Sequence, residues 1–166
     1  MDTSKPEFKL IIGLGNPGPK YQNTYHNVGH LFVDYLKSQK SKVKCQMSKT
    51  NVFMNESGKF VMKEMKKNSI KPEELLIVHD DSDIEIGSYK ISFNRGAAGH
   101  HGIESIMAVI KKNNFWRLRI GIRPISPISL IGPIKPKRLK AEKFVLKKIS
   151  SADKKILESV FQKIRV

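Results

Sequence analysis

In Phe8-Lys9-Leu10-Ile11-Ile12-Gly13-Leu14-Gly15-Asn16-Pro17-Gly18-Pro19 an apolar run is stopped by glycine and passes into a loop of glycine and proline. Leu10–Ile12 reads as a buried strand, because a short continuous apolar run bounded by breakers has the pattern of a strand covered on both faces. Two prolines and two glycines after Leu14 permit neither a ladder nor a helix, so Gly15–Pro19 is loop. Glu74-Leu75-Leu76-Ile77-Val78 repeats the pattern and predicts a central strand, with Asp80 just past its C-terminal end.

Helical spacing fills the intervals between these strands. Val28, Leu31, Phe32, Tyr35 and Leu36 predict a helix over 27–40, Val61, Met62 and Met65 one over 55–67, and Ile103, Ile106, Met107 and Ile110 one over 101–112. Residues 41–52 are short and basic and give at most one strand. Ser88–Phe93 alternates like a strand buried on one face, and Leu118, Ile120 and Ile122 alternate with Arg117, Arg119 and Gly121 over 116–122. Pro124–Pro136 carries four prolines and is loop, and Ser150 or Ser151 caps a last helix reaching about Ile164. Strands alternating with helices imply an α/β layer fold with a mixed sheet. In such sheets sites form beyond the C-terminal strand ends, where the loops after Ile12 and Val78 both lie.

Composition narrows the class. The 166 residues fit one domain, with 39% hydrophobic residues and a mean hydropathy of -0.37. No apolar stretch approaches the ~18 residues of a membrane span. The single cysteine, Cys45, excludes a disulfide framework and a multi-cysteine zinc site. The first residues have neither an apolar core nor an arginine, so neither a secretory signal nor a transit peptide fits, and a cytoplasmic location is expected. Lys and Arg number 31 against 15 acids, a net charge of +16, which points to a polyanionic partner. Lys135–Arg165 alone holds eleven basic and three acidic residues, a net +8. Six of the fifteen acids gather instead between Glu73 and Glu85.

Gly13-Leu14-Gly15-Asn16-Pro17-Gly18 matches G-x-G-x-x-G, but no helix opens from it and no second strand ending in an acid follows at the right distance. A dinucleotide cofactor is therefore not expected. His26 and His30 are four apart without the Glu of a zincin motif, and no metal is expected. His26 sits at a loop-to-helix junction, and Asp80 lies in the acidic stretch His79-Asp80-Asp81-Ser82-Asp83. A carboxylate accepting from imidazole Nδ1–H fixes the tautomer and raises the basicity of the ring, although these acids also suit a solvated turn. Phe53-Met54-Asn55-Glu56-Ser57-Gly58 reads as a site block or as a helix cap at Asn55. Gly96–Gly102 reads as an anion-facing loop or as tight packing.

Taken in order, these blocks resemble the bacterial-type peptidyl-tRNA hydrolases. Gly13–Gly18 with Tyr21, Thr24, His26-Asn27 and Gly29 is similar to the first signature of that family. Phe53–Gly58, His79–Asp83, Gly99-His100-His101-Gly102, Arg117–Ile122 and Phe144-Val145-Leu146 are similar to its later blocks. The resemblance runs from residue 9 to about residue 160. It implies a single three-layer sandwich over residues 1–166, with a mixed, mostly parallel central sheet flanked by helices. It also implies hydrolysis of the ester joining peptide to tRNA, without cofactor or metal, by a monomer that rescues tRNA during translation. In that reading His26 is the base that activates water, Asp80 supports it, and Asn16, Tyr21, Phe53, Asn55 and His101 bind substrate. Arg119, with Lys90 or Arg95, holds a tRNA phosphate.

The sequence also departs from the family pattern. Tyr25 stands where the family has Arg, His101 where it has Asn, Ser92 where it has Lys, and Thr50 and Val52 where it has Pro and Thr. The chain is shortened around 39–51 and at its C-terminus relative to the family. A second reading is a non-catalytic RNA-binding relative, like the chloroplast splicing factors that resemble this fold.

Overall fold

A computed structural model describes residues 6–39, 43–125 and 141–166. The expected loop over 124–136 lies outside the described residues from 126 on, as do the basic residues Lys135, Lys137, Arg138 and Lys140. Strands β1 (Leu10–Gly13), β2 (Gln46–Lys49), β3 (Leu75–Glu85), β4 (Tyr89–Phe93) and β5 (Trp116–Arg123) form one sheet in the order β2-β1-β3-β5-β4. All neighbours are parallel except the edge pair β4–β5. Helices α1 (Val28–Ser38) and α5 (Ser151–Lys163) cover one face, burying Phe32, Val33, Leu157 and Phe161 against Ile11, Val78, Leu118 and Ile120. Helices α2 (Ser57–Lys67) and α3 (His101–Ile110) cover the other, burying Val61, Met65, Ile103 and Ile106 against Leu10, Ile12, Leu75 and Ile77. A short helix, α4 (Ala141–Phe144), precedes α5. Successive strand residues enter opposite cores, so the unbroken apolar runs of β1 and β3 belong to a doubly covered sheet.

Ser150 caps α5 as the sequence indicates, its side chain accepting from Asp153 N at 3.1 Å. Three expectations are corrected. The third strand does not stop at Val78. Its pairing with β1 ends there, but its ladder with β5 runs on to Asp81–Gly121 and, after a register shift, to Glu85–Arg123. Asp80 therefore lies within β3 and beyond the end of β1. Strand β4 is not buried on one face. It is the sheet edge, only Tyr89 joins the core, and Ile91 and Phe93 remain 41% and 38% exposed. Asn55 does not cap α2. It sits in a 3-10 turn, Met54–Glu56, and Glu56 holds the cap position without a side-chain bond.

One close approach sets the site. A Cβ on Gly29 would stand 2.4 Å from Val78 O, and one on Gly13 would stand 2.3 Å from Gly29 O. Only glycine lets the first turn of α1 rest directly on the ends of β1 and β3. The residues just before α1 are thereby brought against the polar half of β3.

Candidate active site

Three histidines gather around Asp80. His26 follows Tyr25 in a single 3-10 turn, Tyr25–Asn27, that leads into α1. Its Nδ1 lies 2.9 Å from Asp80 Oδ1. His100 is the N-cap of α3, where its Nδ1 accepts from Ile103 N at 3.3 Å. Its other nitrogen, Nε2, lies 3.0 Å from the same Asp80 Oδ1. His79 donates from Nδ1 to Asp80 O at 2.7 Å, and its ring stands edge-on to His100 at 4.6 Å.

These contacts assign the tautomers. A carboxylate only accepts, so His26 donates from Nδ1 and keeps the lone pair on Nε2. His100 accepts at Nδ1 and therefore donates from Nε2. Burial pulls the His26 imidazole pKa down, but the charge and hydrogen bond of Asp80 outweigh it, and the net shift is upward. Burial of Asp80 favours its neutral form, but His26 and His100 outweigh that and hold the carboxyl well below the usual range. His79 is buried, and desolvation together with its neighbour His100 pushes it well below the ordinary histidine value.

A cavity of about 640 Å³ opens on this cluster. Its walls include His26, Asp80, His100, His101, Gly99 and Glu142. A basic imidazole nitrogen facing a cavity of this size can take a proton from water beside a bound carbonyl compound. His101 is exposed, on the cavity wall, and bonds Glu104 through Nδ1 at 2.9 Å. The ligand-capable atoms of His26, Asp80 and His100 all lie within 4.8 Å of one another, and here both imidazole nitrogens are engaged as donors to the carboxylate.

Asn16 is held from both sides. Its Oδ1 accepts from Met54 N at 2.8 Å, and its backbone exchanges bonds with the Asn27 amide, Asn16 N to Asn27 Oδ1 at 2.8 Å and Asn27 Nδ2 to Asn16 O at 2.9 Å. With Oδ1 occupied, the Asn16 amide has its Nδ2–H donors left to offer. Tyr21 and Phe53 stack edge-on at 6.0 Å, with Phe53 49% exposed. Asn55 is exposed in the next turn. These four residues do not line the His26 cavity. They form a second group, joined to the first through Asn27, the residue after His26.

The cations form a third group. Arg119 donates from Nε to Asp81 Oδ2 at 2.7 Å and from Nη1 to Ser92 Oγ at 3.4 Å. Lys90 is its cross-strand partner, and Asp81 is itself part of the cavity wall. Arg95 is exposed just past β4. Arg117 is buried, and burial together with the charges of Arg119 and Arg95 lowers its pKa.

The sequence pairs His26 with Asp80, and the fold adds His100 as the second donor to that carboxylate. The signal was present: a histidine entering a helix after small residues is placed to cap it and to face the strand end. The structure likewise gives Asn27 a clamping contact on Asn16 and places Arg117 in the cationic group.

An open-edged α/β sheet carrying a carboxylate-supported histidine at a cavity wall has the layout of a general-base enzyme. The peptidyl-tRNA hydrolase family model matches residues 10–166. A peptidyl-tRNA hydrolase of Lactobacillus johnsonii is 36% identical, over 93% of this chain and 87% of that protein. One of a Hydrogenobaculum species is 40% identical over 71% of this chain and 72% of that protein. The crystal structure of peptidyl-tRNA hydrolase from Acinetobacter baumannii superposes with a TM-score of 0.77 at 29% identity, covering 97% of this chain and 86% of that one. The chain belongs to the peptidyl-tRNA hydrolase family.

Proposed function

We propose that this protein hydrolyses the ester between the peptide and the tRNA of peptidyl-tRNA, with His26 as general base and Asp80 as its support. The observation that carries the reading is the convergence of His26 Nδ1 and His100 Nε2 on one oxygen of buried Asp80, at the wall of a cavity whose Asp81 also holds Arg119. His26 Nε2 takes a proton from water as the water attacks the ester carbonyl. Asp80 stabilises the imidazolium that forms. Breakdown of the tetrahedral adduct expels the ribose hydroxyl of the tRNA, which receives the proton back from His26.

Asn16 Nδ2 and the Asn55 amide are the donors assigned to the substrate, and Tyr21 with Phe53 provides its apolar wall. His101 offers one further hydrogen bond in place of an amide. Arg119, Arg95 and Lys90 take tRNA phosphate by charge and shape. The chemistry needs no metal or cofactor, because a basic imidazole and amide donors meet the needs of ester hydrolysis. We further propose that residues 1–166, shortened around 39–51, act as one cytoplasmic, monomeric domain in tRNA rescue. Among the described residues no helix is long and apolar enough to cross a membrane.

Incubating the wild-type protein with N-acetyl-aminoacyl-tRNA tests the assignment. Release of the N-acetyl amino acid, with unblocked aminoacyl-tRNA spared, is expected. Intact tRNA binding without release would instead identify a non-catalytic RNA-binding relative.

A further inference from the structure

Tyr25, immediately before His26, has its ring buried and stacked on Phe144, with centroids 4.4 Å apart and planes inclined by 27°. Its hydroxyl donates to Asp153 Oδ2 and accepts from Ser150 N at 3.5 Å. The backbone on either side is tied to the same distant segment. Tyr25 N donates to Lys147 O at 3.2 Å, His26 N to Val145 O at 2.7 Å, and Ile149 N to Asn23 O at 2.8 Å. Thr24 also forms an isolated bridge with Lys148.

This segment also builds the site. Ala141, Glu142 and Val145 form one wall of the cavity that His26 faces. Asp153 lies in the first turn of α5, where the helix dipole favours a carboxylate, so it is a stable acceptor for the phenol. Asp80 holds the His26 ring at Nδ1, and the 144–153 segment holds its backbone. A tyrosine suits the junction because its body stacks in the core while its tip reaches a polar partner.

We infer that Tyr25 is a positioning residue, whose ring on Phe144 and hydroxyl on Asp153 latch the His26 turn to the start of α5 and keep His26 Nδ1 in register with Asp80. The inference rests on His26 being the base of the proposed reaction. A displacement of His26 by a fraction of an ångström would slow proton transfer without changing how tRNA is held. The loss therefore appears in kcat and not in KM.

The test uses Tyr25→Phe, which keeps the stacked ring and removes only the hydroxyl, Asp153→Ala, which removes the acceptor, and the double variant. Each is assayed on N-acetyl-aminoacyl-tRNA well below its melting temperature. Each single change is expected to lower kcat roughly tenfold with KM unchanged. The double variant is expected to be no slower than the slower single, because both changes remove the same Tyr25–Asp153 bond. A wild-type kcat in Tyr25→Phe, with or without a lower melting temperature, overturns the inference, and so does a loss confined to KM or two losses that multiply. An inactive wild-type protein removes the proposed function and the latch together. An active wild type with an unchanged Tyr25→Phe removes the latch alone.

Discussion

His26 Nδ1 lies 2.9 Å from Asp80 Oδ1 across 54 positions of sequence, and the charge of Asp80 more than offsets the burial that would otherwise depress the imidazole pKa. The base must be unprotonated to act, so the rate rises with pH through the raised His26 pKa. Removing the Asp80 charge leaves the desolvation and takes away its counterweight. Asp80→Asn is expected to lower kcat less than loss of His26 does, and to move the pH–rate midpoint down. Profiles of kcat against pH for the two proteins check this, and an unchanged midpoint would count against the role of Asp80.

The same pair couples stability to pH. The pKa of folded Asp80 is depressed, so its contribution is present above the unfolded carboxylate pKa of ~3.9 and is lost as pH falls. The pKa of folded His26 is raised, so its contribution is complete below the unfolded value of ~6.5 and is lost as pH rises through the folded one. Both should shrink in Asp80→Asn. Urea denaturation from pH 2 to 8, a range of about six units around those values, should show a flatter stability profile for Asp80→Asn than for the wild type. Parallel profiles would contradict the linkage.

His100 has two jobs, capping α3 through Nδ1 and donating to Asp80 through Nε2. His100→Ala should cost about 1 kcal/mol of stability for the lost cap. It should also lower kcat, since Asp80 keeps only one imidazole donor. A variant destabilised by that amount but fully active would show that only the cap matters.

Arg119 is held by Asp81 and Ser92, and in the proposed function it takes a tRNA phosphate. Arg119→Ala should raise KM, leave kcat nearly unchanged, and reduce the slope of log binding against log salt by about one. Filter binding at several salt concentrations measures the slope, and an identical slope in the variant would remove Arg119 from the tRNA contact.

Much of this was legible in the sequence, for reasons that differ by element. The runs Leu10–Ile12 and Leu75–Val78 read correctly as buried strands because both their faces are covered. The extension of β3 through Asp80 was hidden, since polar residues in a strand look like a turn until β5 supplies the backbone partners and two histidines and Arg119 satisfy the acids. The exposure of Ile91 and Phe93 was equally invisible, because alternation does not reveal whether a strand lies at a sheet edge. His26 with Asp80 was recoverable from the ordered blocks. The contact of His100 with Asp80 and the hold of Tyr25 on Asp153 depend on segments far apart in sequence, which only the folded chain brings together.

In the proposed mechanism His26 Nε2 is the proton acceptor. The most direct measurement of that role is kcat of His26→Ala on N-acetyl-aminoacyl-tRNA, paired with the affinity of the variant for tRNA. General-base catalysis contributes about 10²–10⁴-fold, so the variant should lose at least two orders of magnitude in kcat while binding tRNA as the wild type does. A His26→Ala protein that hydrolyses the substrate at the wild-type rate would contradict the mechanism.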